Sequence, residues 1–170
     1  MPFYDATVTQ LDKMLANLDR WIEEALAHAE ARGFDPSCFA TYRLAPDQYS
    51  FGRQVQAACD SAKFVAARVA GKEAPKHKDG EASIEELRAR IASVREFLAT
   101  FTPADFEGAD DRVIALPFLP GKGMKPEAYV LQMALPNFHF HLVHAYAILR
   151  HAGVKLGKMP FIGGLDLVDL

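Results

Sequence analysis

The sequence predicts an all-α protein, a four-helix bundle with a long connection before the fourth helix. Apolar residues recur at alternating steps of three and four in separate segments, which is the spacing of one buried helical face. Between these segments stand prolines and glycines, which interrupt helices. The chain has 170 residues and is 50% hydrophobic. That size and composition suit one domain, spanning residues 1–170, with a core that needs no metal or disulfide.

The first helix is predicted over residues 5–32. Its apolar positions, at helical spacing, are Val8, Leu11, Leu15, Leu18, Ile22, Ala25 and Ala29. Gly33 follows, and glycine readily takes the left-handed conformation that ends a helix. Residues 34–48 contain Pro36 and Pro46 and indicate a connection rather than a helix.

The second helix is predicted over residues 50–69, with Ser50 as a candidate N-cap and Gly71 beyond its end. Its apolar stripe is Phe51, Val55, Cys59, Ala62, Ala66 and Val69. The small alanine side chains indicate that a neighbouring helix approaches closely. Cys59 lies on this stripe, so we expect it to be a small buried hydrophobic residue rather than part of a metal motif.

The third helix is predicted over residues 83–101. It opens with a capping box, in which Ser83 and Glu86 satisfy each other's free backbone donors. Its stripe is Ile84, Leu87, Ile91, Val94, Leu98 and Phe101. Residues 102–125 then lose the helical pattern, and residues 112–116 are a candidate short strand. A connection this long in a compact domain is often functional or a packed crossover.

The fourth helix is predicted over residues 127–151, with Pro126 welcome in its first turn. Pro136 falls inside this helix and predicts a kink or an interruption, because proline cannot donate a backbone hydrogen bond. The tail, residues 154–170, is rich in glycine yet apolar. We expect it to pack against the bundle or against a second subunit.

Composition and motifs exclude several classes of function. The net charge of −3 is small and mixed, so no nucleic-acid partner is predicted. No apolar window is long enough for a membrane span, and no secretory signal is recognisable, so we expect a cytoplasmic protein without a membrane partner. The sequence also lacks a P-loop, a dinucleotide-binding fingerprint, a nucleophile elbow and the zinc motif His-Glu-x-x-His.

Histidines in the fourth helix are the one chemically suggestive cluster. At about 100° per residue, Asn137, His141 and His144 share one face, whereas His139 points the opposite way. We expect His141 and His144 to face inward, where an imidazole either hydrogen-bonds a polar side chain or binds a metal. The second helix offers three partners: Gln54, Gln56 and Asp60.

Five blocks of sequence carry a family resemblance. They are LPNFHFH at residues 135–141, AYAILRH at 145–151, RLAPD at 43–47, RQVQ at 53–56 and DSAK at 60–63. With these blocks the chain resembles an uncharacterised bacterial domain-of-unknown-function family within the DinB/YfiT-like superfamily of suspected metalloenzymes. The likeness extends from the first helix to Gly157.

The resemblance implies a DinB-like bundle with up-down-down-up topology that is often dimeric. Characterised relatives bind a divalent metal through three histidines, one on the second helix and two at i, i+4 on the fourth. Some use that metal in thiol-dependent transferase or isomerase chemistry. Here the corresponding pair on the fourth helix is Asn137 and His141, and the second helix has no histidine. Asparagine is a poor ligand for zinc or nickel.

Three hypotheses follow for the function. The one we favour is a degenerate metal site without a metal, in which Asn137, His141 and polar groups of the second helix line a small-molecule pocket. The alternative is a DinB-type metal-dependent enzyme, with zinc or nickel held by His141, His144 and a side chain of the second helix. The third is a structural or interaction role without a ligand.

We predict a symmetric homodimer. The fourth helix is apolar over more than half its circumference and the tail adds further apolar residues, which is more than one bundle face needs. Light scattering at tens of micromolar protein should therefore give twice the chain mass of 18.8 kDa. A monomer mass under those conditions would contradict the prediction.

Overall fold

The predicted helical bundle is the architecture of residues 2–169, which a computed structural model describes. Its helices are α1 (Gln10–Arg32), α2 (Phe51–Ala70), α3 (Ile84–Leu98), α4 (Pro126–Tyr129), α5 (Leu135–His151) and α6 (Lys158–Ile162). A π-helical turn, Asp5–Thr9, precedes α1, and 3-10 turns occur at Pro36–Thr41, Pro103–Phe106 and Ala109–Asp111. The all-α class is thus confirmed, and all four predicted long helices start within one residue of a described helix or its adjoining turn.

Ion pairs between α1 and α3 show that these helices run antiparallel. Arg88, near the start of α3, lies 2.7 Å from Asp19, and Arg95, near its end, lies 2.8 Å from Asp12. The order of the partners reverses from one helix to the other, which requires opposite directions. The outer face of this helix pair is therefore held by charges of opposite sign.

Polar contacts between α2 and the fourth helical segment show a second antiparallel pair. Gln54, near the start of α2, contacts His141 of α5, whereas Arg68, near its end, contacts Tyr129 of α4. α2 is the most buried of the long helices, with fourteen of its twenty residues buried.

Contacts between α2 and α3 keep the same order along both helices. Gly52 lies against Leu87, and eight residues further along α2, Asp60 pairs with Arg90 at 2.6 Å. The two helices are therefore parallel, and the chain must return along α2 before α3 begins. With the antiparallel pairs above, this is the up-down-down-up order that the resemblance implied.

The apolar stripes predicted for the first three helices form the core. Fully buried members include Leu11, Leu15, Leu18, Ile22, Val55, Cys59, Ala62, Ala66, Leu87, Val94 and Leu98. Cys59 is a buried free cysteine, as predicted. Burial raises the pKa of its thiol to about 12, so it stays protonated and packs as an apolar side chain.

The third helix ends earlier than predicted, at Leu98 rather than Phe101. Pro103 restricts the backbone of Thr102, which is extended, and an extended residue cannot continue a helix. Phe101 is buried all the same. The apolar periodicity extended the predicted helix because a buried residue after a helix looks the same in sequence as one inside it.

The interruption predicted from Pro136 is present. Residues Val130–Ala134 form a π-helical segment between α4 and α5, and the amide of Leu135 donates to the carbonyl of Val130. Pro136 has no amide hydrogen to offer the preceding turn and its ring crowds that turn. A wider π turn just before it relieves this conflict.

A two-stranded hairpin lies within the long connection. β1 (Ile114–Ala115) pairs antiparallel with β2 (Gly123–Met124), which confirms a short strand near residues 112–116. A side chain at Gly123 would place its Cβ 2.6 Å from a Val113 methyl carbon, so Val113 would have to shift to admit it. The connection is thus ordered by pairing with itself.

The start of the apolar tail packs against α1 of the bundle, which is the first of the two alternatives predicted for the tail. The rings of Phe161 and Trp21 stack at 5.3 Å, the Trp21 indole donates to the carbonyl of Pro160, and Asn17 donates to that of Phe161. Between Gly163 and Asp169 the apolar side chains of Leu165, Leu167 and Val168 are exposed. The homodimer stays a prediction. No helix in residues 2–169 has the length and apolar character needed to cross a membrane.

A buried ionic network fastens the return connection, residues 71–83, to α2 and α3. The Arg90 side chain is only 1% exposed and contacts Asp60 at 2.6 Å, Glu81 at 2.8 Å and Asp79 at 3.4 Å. Lys63, 2% exposed, lies 2.7 Å from the same Asp60 oxygen. The buried cations are therefore matched by carboxylates from the helix and from the connection.

His77 is held within this network. Its Nδ1 lies 3.0 Å from the Lys63 ammonium, which can only donate, so Nδ1 accepts and Nε2 donates to Ser93. Burial, followed by the charges of Arg90 and Lys63, lowers the pKa of His77. The neutral imidazole is thus the form that binds the connection to both helices.

We predict that Arg90→Met lowers the free energy of unfolding by about 3 kcal/mol or more, because it leaves buried carboxylates without their cation. Arg88→Met is the matched control. Arg88 is also an arginine of α3 paired with carboxylates, but its side chain is 33% exposed, so the loss should be about 1 kcal/mol or less. Urea denaturation measures both values. Equal losses would show that burial does not govern this network.

Candidate functional site

A cleft of about 230 Å³ lies between α2 and the segment from α4 to α5. Its lining residues are Tyr49, Arg53, Ala57, Asp60, Ser61, Phe64, Arg68, Tyr129, Met133, Ala134, Asn137 and His141. The lining thus combines charged, polar and aromatic side chains with small ones. A concave surface with a few convergent polar groups is the usual form of a small-molecule site.

His141 is oriented from behind by Gln54. The two side chains meet at 2.8 Å between Nδ1 and Oε1, and Gln54 is only 1% exposed. Since the Gln54 amide nitrogen points to the carbonyl of Tyr49, its oxygen faces the histidine, and Nδ1 carries the hydrogen. The Tyr49 ring stacks on the imidazole at 6.1 Å. Nε2 is therefore the ring nitrogen with a free lone pair.

The protonation state of His141 follows from its surroundings. Burial lowers the pKa of His141, and the nearby charges of His144 and Arg53 lower it further. The imidazole is consequently neutral near pH 7. Because the folded-state pKa lies below the unfolded value of about 6.5, its contribution to stability is complete above that pH and is lost as the pH falls through the folded-state pKa.

Asn137 lies one turn before His141 and also reaches α2. Its amide nitrogen donates to the Ser61 hydroxyl at 2.7 Å, and that hydroxyl donates in turn to the carbonyl of Ala57, also at 2.7 Å. The Asn137 amide oxygen has no partner among residues 2–169. An acceptor of modest strength is thus presented beside the imidazole.

Asp60 lines the cleft, but its charge is already compensated. One carboxylate oxygen contacts both Arg90 and Lys63, the two buried cations of the ionic network. The side chain therefore belongs to the packing of α2 against α3 as much as to the cleft.

Two residues predicted for the site are placed elsewhere. Gln56 accepts from Arg53 and donates to Glu81, on the side of α2 that faces the return connection. His144 hydrogen-bonds the carbonyl of Phe140 at 2.6 Å and is not among the cleft residues. His144 lies within about 20° of Asn137 around α5 but about one turn beyond His141 along it, so its position along the helix, and not its angle, leaves it outside the cleft. His139 is also outside, bonded to the carbonyl of Leu135.

Sequence reasoning missed several cleft residues. On α2 these are Arg53, Phe64 and Arg68. Together with Ser61 they follow one another at intervals of eight, three and four residues, which places them on one face of the helix. That helical spacing could have indicated a shared face, but the face lies beside the apolar core stripe, and its polar residues are typical of an ordinary solvent-exposed surface. Tyr49 and Tyr129 lie outside the regular helical pattern considered for the site.

The donor set does not fit a zinc or nickel ion. Such sites use three or four histidine, cysteine or carboxylate ligands. Within residues 2–169, no group of three such side chains is arranged so that it could hold a metal ion. In the cleft, one imidazole nitrogen is accompanied by a neutral amide oxygen and by a carboxylate that two cations already hold.

Comparisons with known proteins confirm the resemblance. Residues 3–162 match the family described as Domain of unknown function (DUF1993). Among solved structures, the chain is similar to a crystal structure of a DinB family member protein from Shewanella denitrificans, with 43% identity and a TM-score of 0.94. The match covers 98% of this chain and 95% of that one. A search of curated proteins gives no match.

We predict that His141→Ala lowers the free energy of unfolding by about 1–3 kcal/mol, because it leaves the buried Gln54 oxygen without a partner. His139→Ala should cost less, since His139 bonds only to its own helix. Chemical denaturation at pH 7.5 measures both. A double-mutant cycle with Gln54→Leu checks the cause: the two substitutions should not be additive. Equal, small losses for the two histidines would contradict the inward assignment of His141.

Proposed function

This chain belongs to the DUF1993 family of DinB-like bundles, and we propose that it binds a small polar molecule, without a metal ion, in the cleft between α2 and α5. His141 is the central group of this proposal. Its Nε2 accepts a hydrogen bond from the ligand, or takes a proton from it if the protein is an enzyme.

The observation that carries the proposal is the contact between His141 and Gln54. A buried amide that accepts from Nδ1 holds the ring in one tautomer and one orientation. Burial also keeps the imidazole neutral. A histidine that only filled space between helices would not need its second nitrogen at the wall of a cleft.

The walls around His141 support a small ligand rather than a macromolecule. Tyr49 covers one side of the imidazole with its ring, and the Asn137 oxygen supplies a second acceptor one turn away. A volume near 230 Å³ admits a molecule of modest size. Placement of few polar groups among aromatic ones is typical of selective small-molecule sites.

A metal-dependent enzyme of the DinB type is the second candidate. The observation in its favour is the same contact, because a histidine that ligates a metal usually donates its other nitrogen to an oriented acceptor. Against it stands the donor set, in which Asn137 and the compensated Asp60 are weak ligands beside His141.

Elemental analysis of untagged protein, purified without chelators, separates the two candidates. We expect far less than one zinc or nickel per chain. A stoichiometric metal that His141→Gln removes and His139→Gln retains would overturn the metal-free proposal and establish the second candidate.

A fragment screen by ¹H–¹⁵N NMR tests ligand binding. Polar fragments should shift the amide signals of Ala57, Ser61 and His141, and those shifts should disappear in His141→Gln but persist in His139→Gln. Shifts confined to other parts of the bundle would reject the cleft as the binding site.

A further inference from the structure

The charged side chains that line the cleft differ in whether a side chain of opposite charge lies beside them. Three charged side chains are present: Arg53, Asp60 and Arg68. The carboxylate of Asp60 contacts two buried cations, and Arg53 lies 2.5 Å from the carboxylate of Asp79. Arg68 differs, because no carboxylate of residues 2–169 lies within 4.0 Å of it. The cleft therefore has one uncompensated positive charge.

The guanidinium of Arg68 is held in place by groups that leave most of its donors free. One nitrogen donates to the Tyr129 hydroxyl at 2.9 Å, and the group lies over the Phe64 ring at 5.0 Å. Arginine carries five N–H donors in a planar fork that matches two oxygens of a carboxylate or a phosphate. The Tyr129 hydroxyl accepts from Arg68, so its own hydrogen can be donated to the same anion.

We infer that this end of the cleft binds an anionic group of the ligand, a carboxylate or a phosphate, through Arg68 and Tyr129. The inference rests on the proposed function and names the class of ligand: an organic anion rather than a neutral or cationic molecule.

The geometry also gives the ligand a shape. Arg68 and Gln54, which positions His141, stand fourteen residues apart on α2, about 21 Å of helix rise. The lining between the two ends includes Ala57, Phe64 and Met133. The ligand class that this end of the cleft selects has its anionic group at Arg68 and an apolar or aromatic body beside Phe64 and Met133.

The test uses three probes with the same phenylalkyl body: 4-phenylbutyrate, 4-phenylbutyl phosphate and the neutral 4-phenylbutanol. Affinities are measured by NMR titration of the full chain at fixed ionic strength. At least one anion should bind about tenfold more tightly than the alcohol, as expected for a charge-assisted bidentate contact. The tighter of the two anions tells whether the site takes a carboxylate or a phosphate.

Arg68→Gln should remove the preference for the anion over 4-phenylbutanol. Arg43→Gln is the matched control, since Arg43 is an exposed arginine outside the cleft whose side chain donates to the carbonyl of Pro46. Arg68→Lys keeps the charge but loses the fork, and should bind the anion severalfold more weakly than the natural chain. If thermal unfolding shows that the glutamine variant does not fold, the lysine variant tests the anion site in its place.

The outcomes separate this inference from the function on which it rests. If anions and alcohol bind the cleft equally, or if both Arg68 variants retain the anion preference, the anion site is wrong while the cleft remains a binding site. If none of the probes shifts a cleft amide at millimolar concentration, both the anion site and the proposed cleft function are overturned.

Discussion

α2 packs against α3 on one side and α5 on another, and the ion pairs of Asp60 with Arg90 and Lys63 make this position possible. An arginine and a lysine that are almost fully buried would be costly if either were left without a carboxylate. The shared oxygen of Asp60, together with Glu81 from the return connection, supplies the required charge. Because α2 and α3 are parallel, the return connection lies along α2 and brings its acidic residues to Arg90.

On its other side, α2 is linked to the fourth helical segment by hydrogen bonds and not by ion pairs. Three polar residues, at positions 54, 61 and 68, each contact a residue of the fourth helical segment. Their spacing of seven residues, about two helical turns, places them on one side of α2. These contacts link the helices without closing the space between them, and the cleft lies where larger side chains would otherwise interdigitate.

The cleft and the ionic network are joined through Asp60, which belongs to both. The two cations neutralise its carboxylate, so Asp60 adds little negative charge to the cleft. Arg68 consequently sets the sign of the cleft, and neutral His141 contributes an acceptor rather than a second cation. The same pairs that stabilise the bundle thus define the chemistry available to a ligand.

The amino-acid sequence determined the helices, the interruption at Pro136, the buried Cys59 and the inward position of His141, because each depends on local periodicity or on one residue's own chemistry. Only the tertiary structure decided that Gln54 rather than Gln56 meets His141, and that Arg68 and Tyr129 close the far end of the cleft. It also decided that α3 ends at Leu98. Periodicity gives the angle of a side chain around the axis of its own helix. The rotation and register of one helix against another depend on how the whole core packs.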